Sequence, residues 1–390
     1  MNIKYFDNAA TTALDKDILD KMIPYFCDYY YNPSSLYKPS ISVLKDINIA
    51  RENVAKCINA NSNEIYFTSG GSESDNLAIK GFAYANRNKG NHIITSCIEH
   101  PAVLNSCKSL EKEGFEVTYL SVDKYGVIDL DELKSSIKEN TILISIMTAN
   151  NEIGTIEPIK EIGKIAHEHN IKFHTDAVQG IGSLKIDVED MNIDMLSMSA
   201  HKFYGPKGVG ALYIRKGTVI NKLNDGGHQE NNKRSGTENT PGIIGMGYAI
   251  VKAYENLEEN TKKVKELRDY YISEIEKRIP DVILNGHRTE RLVGNANFSF
   301  KYIEGESILL LLDAKGICVS TGSACSSKSL EPSYVLISTG LDHADAHGSI
   351  RVSIGKHNTK EEVDYLIDSV VEVVTKLRSM SPLYEIKEEK

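Results

Sequence analysis

Between residues 64 and 215, short apolar runs alternate with longer segments of helical periodicity. The runs are about four to eight residues long and most contain β-branched residues, which predicts strands. The predicted strands are EIYFT (64–68), HIITS (92–96), FEVTYL (115–120), TILISIMT (141–148), IKFHTD (171–176), DMLSMS (194–199) and VGALYIR (209–215). Helices are predicted from Ser72 to Asn86, from Pro101 onward and over 158–170. This alternation predicts an α/β protein with a mostly parallel sheet, whose ligands bind at the carboxyl ends of the strands.

The pattern changes after residue 241. One long helix is predicted over 241–277, and the strands VILNG, VGNANFSF and ICVS and the apolar helix ESILLLLDAKG follow it. A last amphipathic helix carries its apolar residues on one face. These are Val363, Leu366, Ile367, Val370, Val371, Val374 and Leu377. We therefore predict a large domain over 16–254 and a smaller α+β domain formed by 1–15 and 255–390.

Composition narrows the class of protein. The 390 residues are 41% hydrophobic and 25% charged, which is typical of globular proteins. The net charge of −9 disfavours direct nucleic-acid binding, which requires a basic face. No apolar run approaches the ~18 residues of a membrane-spanning helix, and no apolar leader is evident. The six cysteines are scattered without a CxxC pair, so we expect free thiols and a cytoplasmic location.

The segment Thr68–Ser74 (TSGGSES) lies between a predicted strand and a predicted helix. Glycines at such a turn allow backbone N–H groups to face a ligand, and the start of the helix favours an anion. The segment is thus a candidate phosphate site. The alternative is a tight turn in which Ser72 is only the N-cap of the helix.

Two further motifs stand at strand ends. Asp176 closes the strand of HTDAVQ, and Lys202 lies in SAHKFYGPKG, beside His201 and Ser199. Taken alone, Asp176 is better explained as a helix N-cap than as a site residue. A phosphate site, a strand-end carboxylate and a lysine amine on one sheet are together the groups that pyridoxal phosphate (PLP) requires.

Two residues of the C-terminal part are candidates for chemistry. Cys325 lies in the small, polar segment STGSACSS, where a thiol is expected to be exposed and mobile and hence reactive. Arg351 lies in the short apolar run SIRVS and could hold a substrate carboxylate through two hydrogen bonds. The alternatives are an incidental cysteine and an ordinary surface arginine.

Taken together, these segments resemble the cysteine desulfurases of the NifS/IscS type, which are class-V aminotransferase-fold enzymes. The matching stretches are YFDNAATT (5–12), TSGGSESDNLAIKG (68–81), EHPAVL (99–104), NNEIGTIEPI (150–159), HTDAVQ (174–179), SAHKFYGPKG (199–208), RSGTEN (234–239), STGSACSSKSLEPSYVL (320–336) and HGSIRVSIGKHNT (347–359). The resemblance implies the fold of PLP-dependent transferases of the aspartate aminotransferase-like type.

The resemblance also implies residue roles around the cofactor ring. Lys202 would hold PLP covalently and, once freed, remove the α-proton of the substrate. Asp176 would pair with the ring nitrogen, and Gln179 and Asn151 would bond near the ring hydroxyl. His100 would stack on the ring and move protons.

Other implied roles concern the cofactor phosphate. Ser72, the backbone of Gly71, Ser199 and His201 would bind it. Thr237 would reach it from a neighbouring subunit, which implies a homodimer with shared active sites.

For the substrate, the resemblance implies L-cysteine. Arg351, with Asn151, would bind its carboxylate. Cys325 would take its sulfur as a persulfide and leave L-alanine. The sulfur would pass to an acceptor protein, such as an iron–sulfur scaffold or a tRNA-thiolation enzyme.

Two alternative functions remain open at this point: a selenocysteine lyase, and a non-catalytic sulfur-relay protein with the same fold. Two histidine groups also suggest a metal site. They are His167, His169 and His174, and His343, Asp345 and His347. Neither group has a supporting outer-shell pattern, so we predict no metal.

Overall fold

The computed structural model describes residues 3–321 and 331–384. Within them, the strands are β1 (Lys4–Tyr5), β2 (Ile65–Thr68), β3 (His92–Ser96), β4 (Glu116–Leu120), β5 (Thr141–Ser145), β6 (Lys172–Asp176), β7 (Met195–Ser199), β8 (Gly210–Ile214), β9 (Val282–Asn285), β10 (Asn295–Phe300), β11 (Ile317–Cys318) and β12 (Ser349–Ser353). The helices are α1 (Lys16–Met22), α2 (Pro24–Cys27), α3 (Lys38–Cys57), α4 (Gly71–Asn76), α5 (Phe82–Asn86), α6 (Pro101–Glu111), α7 (Leu130–Ser135), α8 (Ile159–Glu168), α9 (Gln229–Asn232), α10 (Thr240–Glu255), α11 (Leu257–Arg278), α12 (Gly305–Asp313), α13 (Tyr334–Ser338), α14 (His343–His347) and α15 (Lys360–Arg378). No helix in these ranges is long and apolar enough to cross a membrane.

A seven-stranded sheet carries the candidate site. Its strand order is β2-β8-β7-β6-β5-β3-β4. Strands β3 to β7 are parallel, whereas β8 runs antiparallel to both β7 and β2. Strands β3, β5, β7 and β8 are buried along their whole length, as expected when helices cover both faces. The predicted α/β fold with a mostly parallel sheet is confirmed.

Two predicted helices differ from the structure. The single helix predicted over 241–277 is wrong, because α10 and α11 are separated at Asn256 (φ −109°, ψ 16°). The Asn256 side chain donates to the carbonyl of Lys252 at 3.0 Å and so satisfies a terminal acceptor of α10. The helix predicted from Ser72 to Asn86 contains a π-helical turn, Leu77–Gly81, between α4 and α5.

Buried apolar residues of the N-terminal and C-terminal parts of the chain form distinct cores. One core draws on residues between 18 and 250, and another combines Phe6 with residues between 264 and 374. Strand β1 pairs with β11, which joins the first residues to the C-terminal part. We propose on this basis that the domains divide as predicted, at 15/16 and 254/255.

The buried carboxyl of Glu157 is expected to make the stability of the protein depend on pH. This carboxyl is buried and accepts the N–H of Ile128 at 3.2 Å, and burial raises its pKa to about 8. An unfolded glutamate titrates near ~4.3, so the folded chain binds more protons between these values and loses stability as pH rises. Glu157→Gln removes this titration. We expect the stability of the wild type relative to this variant to fall by roughly 2–4 kcal/mol between pH 5 and pH 8, measured by urea unfolding.

The matched control for this prediction is Glu168→Gln, at a side chain that is 54% exposed. Its pH dependence should equal that of the wild type. An equal response of the Glu157→Gln variant and the wild type would contradict the prediction.

Candidate active site

Asp176 is placed at the carboxyl edge of the sheet by its position as the last residue of β6. Its carboxylate accepts the N–H of Val178 at 2.9 Å and is buried. Burial raises the pKa of Asp176, and the nearby His100 and Lys202 oppose this shift. A buried carboxylate at this position is suited to hold a proton on a ligand nitrogen.

His100 lies next to Asp176 because it is the N-cap of α6, directly after the loop that follows β3. Its Nδ1 accepts the N–H of Ala102 at 3.1 Å, and burial lowers its pKa. The imidazole is therefore neutral near pH 7 and carries its proton on Nε2. A carboxylate oxygen of Asp75, a ring nitrogen of His100 and a carboxylate oxygen of Asp176 all lie within 4.8 Å of one another.

Lys202 ends the short 3₁₀ turn Ala200–Lys202 that follows β7. Its Nζ donates to the carbonyls of Ala9 and Ala10 at 2.5 and 2.9 Å. Gln179 Nε2 donates to the same Ala9 carbonyl at 3.0 Å. Since β6 and β7 are parallel neighbours, Asp176 and Lys202 lie at the same edge of the sheet. The N-terminal segment thus closes this edge and orients the amine.

The TSGGSES loop lies beside the same edge. Gly71 begins a continuous helix that runs through α4, the π turn and α5. A Cβ on Gly71 would lie 2.7 Å from Cγ2 of Val178, so a larger residue at this position would require Val178 to shift. Gly70, with φ +153°, approaches the buried Ser199. The loop therefore presents the positive end of a helix next to Asp176 and Ser199.

His201 and Ser72 differ in their surroundings. His201 Nδ1 is 3.1 Å from the hydroxyl of Thr11, and burial with Lys202 and Lys207 lowers its pKa to about 4. Ser72 is exposed on the first turn of α4. A neutral His201 and a free hydroxyl are both able to donate to a phosphate.

Arg351 projects from the buried strand β12 and is itself only 5% exposed. Its Nη1 donates to the carbonyl of Asn151 at 3.0 Å, and its Nη2 donates to Asp7 at 2.7 Å. Among the described residues, Nε has no hydrogen-bond partner. A buried donor without a partner is costly and points to a ligand.

Two predicted residues stand apart from this group. Thr237 is exposed on the loop after α9, which contacts α4 of the same chain through the Arg234–Glu73 ion pair at 2.9 Å. Cys325 lies outside the described residues, within 322–330. Its role therefore stays a prediction.

Three acidic residues at the site were missed by sequence reasoning. Asp7 pairs with Arg351, Asp75 lies beside Asp176, and Glu99 precedes His100. Burial raises the pKa of Glu99 to about 8, and its carboxyl accepts the Met147 N–H at 3.0 Å. All three lie within the stretches that carry the family resemblance, which is the signal that could have found them.

The cluster of Asp75, His100 and Asp176 is also the only group in the described ranges with metal-ligand spacing. The two histidine groups considered from the sequence do not form such a cluster there. The cluster lies near the Lys202 amine and the start of α4. Its carboxylates are suited to pair with a protonated ring nitrogen.

Comparison with known proteins gives the family. The family described as Aminotransferase class-V matches residues 4–366. A protein named cysteine desulfurase IscS from Methanosarcina thermophila is 58% identical over 379 residues, which are 97% of this chain and 94% of that protein. A solved structure titled NifS-like protein superposes with a TM-score of 0.91 at 40% identity, covering 96% of this chain and 100% of that one.

A further solved structure, titled SspA in complex with cysteine, has a TM-score of 0.81 at 40% identity, covering 91% of this chain and all of that one (100%). These similarities extend over nearly the whole chain and agree with the fold. The chain belongs to the class-V aminotransferase family, among its cysteine desulfurases of the NifS/IscS type.

Proposed function

We propose that this chain is a PLP-dependent cysteine desulfurase that converts L-cysteine to L-alanine and takes the sulfur as a persulfide on Cys325. The observation that carries the proposal is the convergence of Lys202, Asp176, His100 and Arg351 near one edge of the sheet. The names of the relatives and the cysteine complex of a structural neighbour support the same activity.

The described residues fit PLP. Lys202 would supply the amine and Asp176 the carboxylate for the ring nitrogen, and Gln179 and Asn151 would donate near the ring hydroxyl. We propose that the phosphate lies at the start of α4, against Gly71, where a side chain on residue 71 would collide with Val178.

For the phosphate oxygens, we propose Ser72, Ser199 and His201 as the hydrogen-bonding side chains. The pKa of His201, lowered to about 4, leaves it neutral, so its contribution is a hydrogen bond rather than a charge. The positive end of α4 then balances part of the phosphate charge.

When bound, PLP supplies an electron sink for the electron pair of a bond broken at the α-carbon of the amino acid. Asp176 keeps the proton on the ring nitrogen. Lys202, once the substrate amine has replaced it, removes the α-proton. His100 carries its proton on Nε2 and can donate it, and proton transfer by such positioned groups contributes ~10²–10⁴-fold in rate.

Arg351 orients the substrate. We propose that its Nε, which has no partner among the described residues, donates to the carboxylate of L-cysteine. Asn151, whose carbonyl holds Nη1, fixes the guanidinium plane.

Cys325 is the proposed sulfur acceptor. Its thiolate attacks the sulfur of the substrate, and a new S–S bond forms as the Cβ–S bond breaks. The bonding electron pair stays with the three-carbon skeleton, which takes up protons and leaves as L-alanine. The reaction therefore needs no external oxidant: one cysteine thiol and L-cysteine give a persulfide and L-alanine.

We also propose a homodimer. Large apolar side chains on α1 to α3 and the connecting segment are exposed, including Ile23 (52%), Phe26 (58%), Leu36 (94%) and Ile41 (55%). Such a concentration marks a protein interface. A second copy covering it is the occupant that would bring Thr237 to the neighbouring phosphate site, and a monomeric mass by light scattering would contradict this assembly.

We propose that the persulfide passes to an acceptor protein, either an iron–sulfur scaffold or a tRNA-thiolation enzyme. A thiol nucleophile must be kept reduced between turnovers, which favours a cytoplasmic location.

The proposed role of Asp176 predicts a defined loss. Asp176→Asn keeps the size of the side chain and removes the charge that holds the ring proton. We expect PLP to bind more weakly and exchange of the α-proton of L-alanine with D₂O to slow by roughly 10²–10³-fold, measured by NMR.

The matched control is Asp194→Asn, since Asp194 is also largely buried and accepts bonds from Lys172 and Phe173 just before β7. That variant should bind PLP and exchange the α-proton of L-alanine like the wild type. Unchanged exchange in Asp176→Asn would remove Asp176 from the proposed role.

A further inference from the structure

Asp7 and Arg351 form an ion pair inside the candidate active site. Nη2 of Arg351 lies 2.7 Å from Oδ1 of Asp7, and the side chains are 6% and 18% exposed. Interactions between charges of this kind are stronger than on the surface because little water screens them. The pair joins a strand to the N-terminal segment that also contacts Lys202.

The orientation of the guanidinium does not depend on Asp7 alone. Nη1 is held by the carbonyl of Asn151 at 3.0 Å. The backbone of Arg351 is bonded in both directions to Ser320, at 2.7 and 3.1 Å. Arg351 is therefore expected to stay in place when the charge of Asp7 is removed.

Asp7 is bonded to one of the two nitrogens of the edge that a carboxylate would use. A guanidinium binds a carboxylate with two parallel bonds, and Nε and Nη2 form one such edge. Among the described residues, Nε is without a partner, whereas Nη2 is taken by Asp7. Nη2 has two N–H groups, so a carboxylate bound at this edge would share Nη2 with Asp7 and lie beside a second negative charge.

Glu152 is a second acid close to Arg351. Burial raises its pKa to about 7, and Arg351 opposes this shift. Near neutral pH, Glu152 therefore carries only part of a charge, and Asp7 is the direct hydrogen-bonded counter-charge.

We infer that Asp7 is a positioning residue that acts through Arg351: it competes with the carboxylate of the bound amino acid and weakens the binding of substrate and product alike. This inference rests on the proposed function, because it takes Arg351 as the carboxylate site. L-Alanine retains the carboxylate of L-cysteine, so tight binding of this group would slow product release without helping the chemical step. Asp7 keeps product binding weak.

The test is a calorimetric titration of the PLP-loaded enzyme with L-alanine. Asp7→Asn keeps an acceptor for Arg351 but removes the charge. We expect L-alanine to bind this variant about tenfold more tightly than the wild type, since close charge pairs are coupled this strongly or more. Asp7→Ser, which also removes the charge, should show the same tightening if Asp7→Asn is poorly folded.

Asp368→Asn is the matched control. Asp368 also lies 2.7 Å from an arginine, Arg278, but its side chain is 69% exposed and the pair joins α11 to α15. Its affinity for L-alanine should equal that of the wild type. A gain in affinity confined to the Asp7 variants cannot come from general destabilisation, which weakens binding.

Unchanged or weaker binding in both Asp7 variants would overturn the inference. Arg351→Gln separates this failure from failure of the proposed function. If Arg351→Gln loses L-alanine binding while the Asp7 variants do not gain it, only the role of Asp7 is wrong. If Arg351→Gln binds L-alanine like the wild type, Arg351 is not the carboxylate site. Both the proposed role of Arg351 in substrate binding and the role of Asp7 are then wrong.

Discussion

Lys202→Ala is expected to bind PLP without a covalent bond and to lose both L-cysteine turnover and α-proton exchange of L-alanine. The amine has two proposed tasks, which are anchoring the cofactor and removing the α-proton, and no neighbouring amine replaces it in the short turn that follows β7. We expect both rates to fall by roughly 10³-fold or more. Borohydride reduction followed by mass spectrometry measures the covalent bond directly.

Lys207→Ala is the control for this result. Lys207 lies in the same motif, is exposed and contacts the carbonyl of Thr12 at 3.5 Å. Borohydride should fix PLP on this variant as on the wild type. A covalent adduct that persists in Lys202→Ala would show that another amine holds the cofactor.

Cys325→Ala is expected to separate the two halves of the reaction. The variant should form neither alanine nor sulfide from L-cysteine above a background below about one hundredth of the wild-type rate, because no thiolate accepts the sulfur. It should still exchange the α-proton of L-alanine at the wild-type rate, since that step belongs to Lys202. Sulfide, alanine and deuterium incorporation are measured on the same preparation.

Cys27→Ala provides the matched control, because Cys27 is an exposed free thiol on α2. It should retain full desulfurase activity. Equal alanine and sulfide yields from Cys325→Ala and the wild type would remove Cys325 from the reaction.

Most of the sheet could be predicted because its strands are short apolar runs bounded by turns. Strands β2 to β8 each lie within a predicted run. The break between α10 and α11 could not be predicted, since neither Gly nor Pro marks Asn256 and the helical periodicity continues across it. Likewise, the π turn Leu77–Gly81 has no sequence signature that a periodicity of 3.6 residues would reveal.

Some features of the candidate site could likewise be predicted from the sequence, and others could not. Lys202 and Asp176 carry their chemistry in side chains at strand ends, so their motifs point to them. Ala9 and Ala10 act through backbone carbonyls, which leave no trace in residue type. Asp7 meets Arg351 across 344 residues of sequence, a contact that only the fold creates. The role of Cys325 rests on the sequence alone.

The proposed desulfurase activity is tested by turnover of L-cysteine by the PLP-loaded wild-type protein in the presence of a reductant. Alanine and released sulfide are quantified together, with L-selenocysteine assayed in parallel. We expect equal molar amounts of alanine and sulfide over many turnovers of L-cysteine. Absence of alanine, alanine without matching sulfide, or turnover confined to L-selenocysteine would contradict the proposed activity.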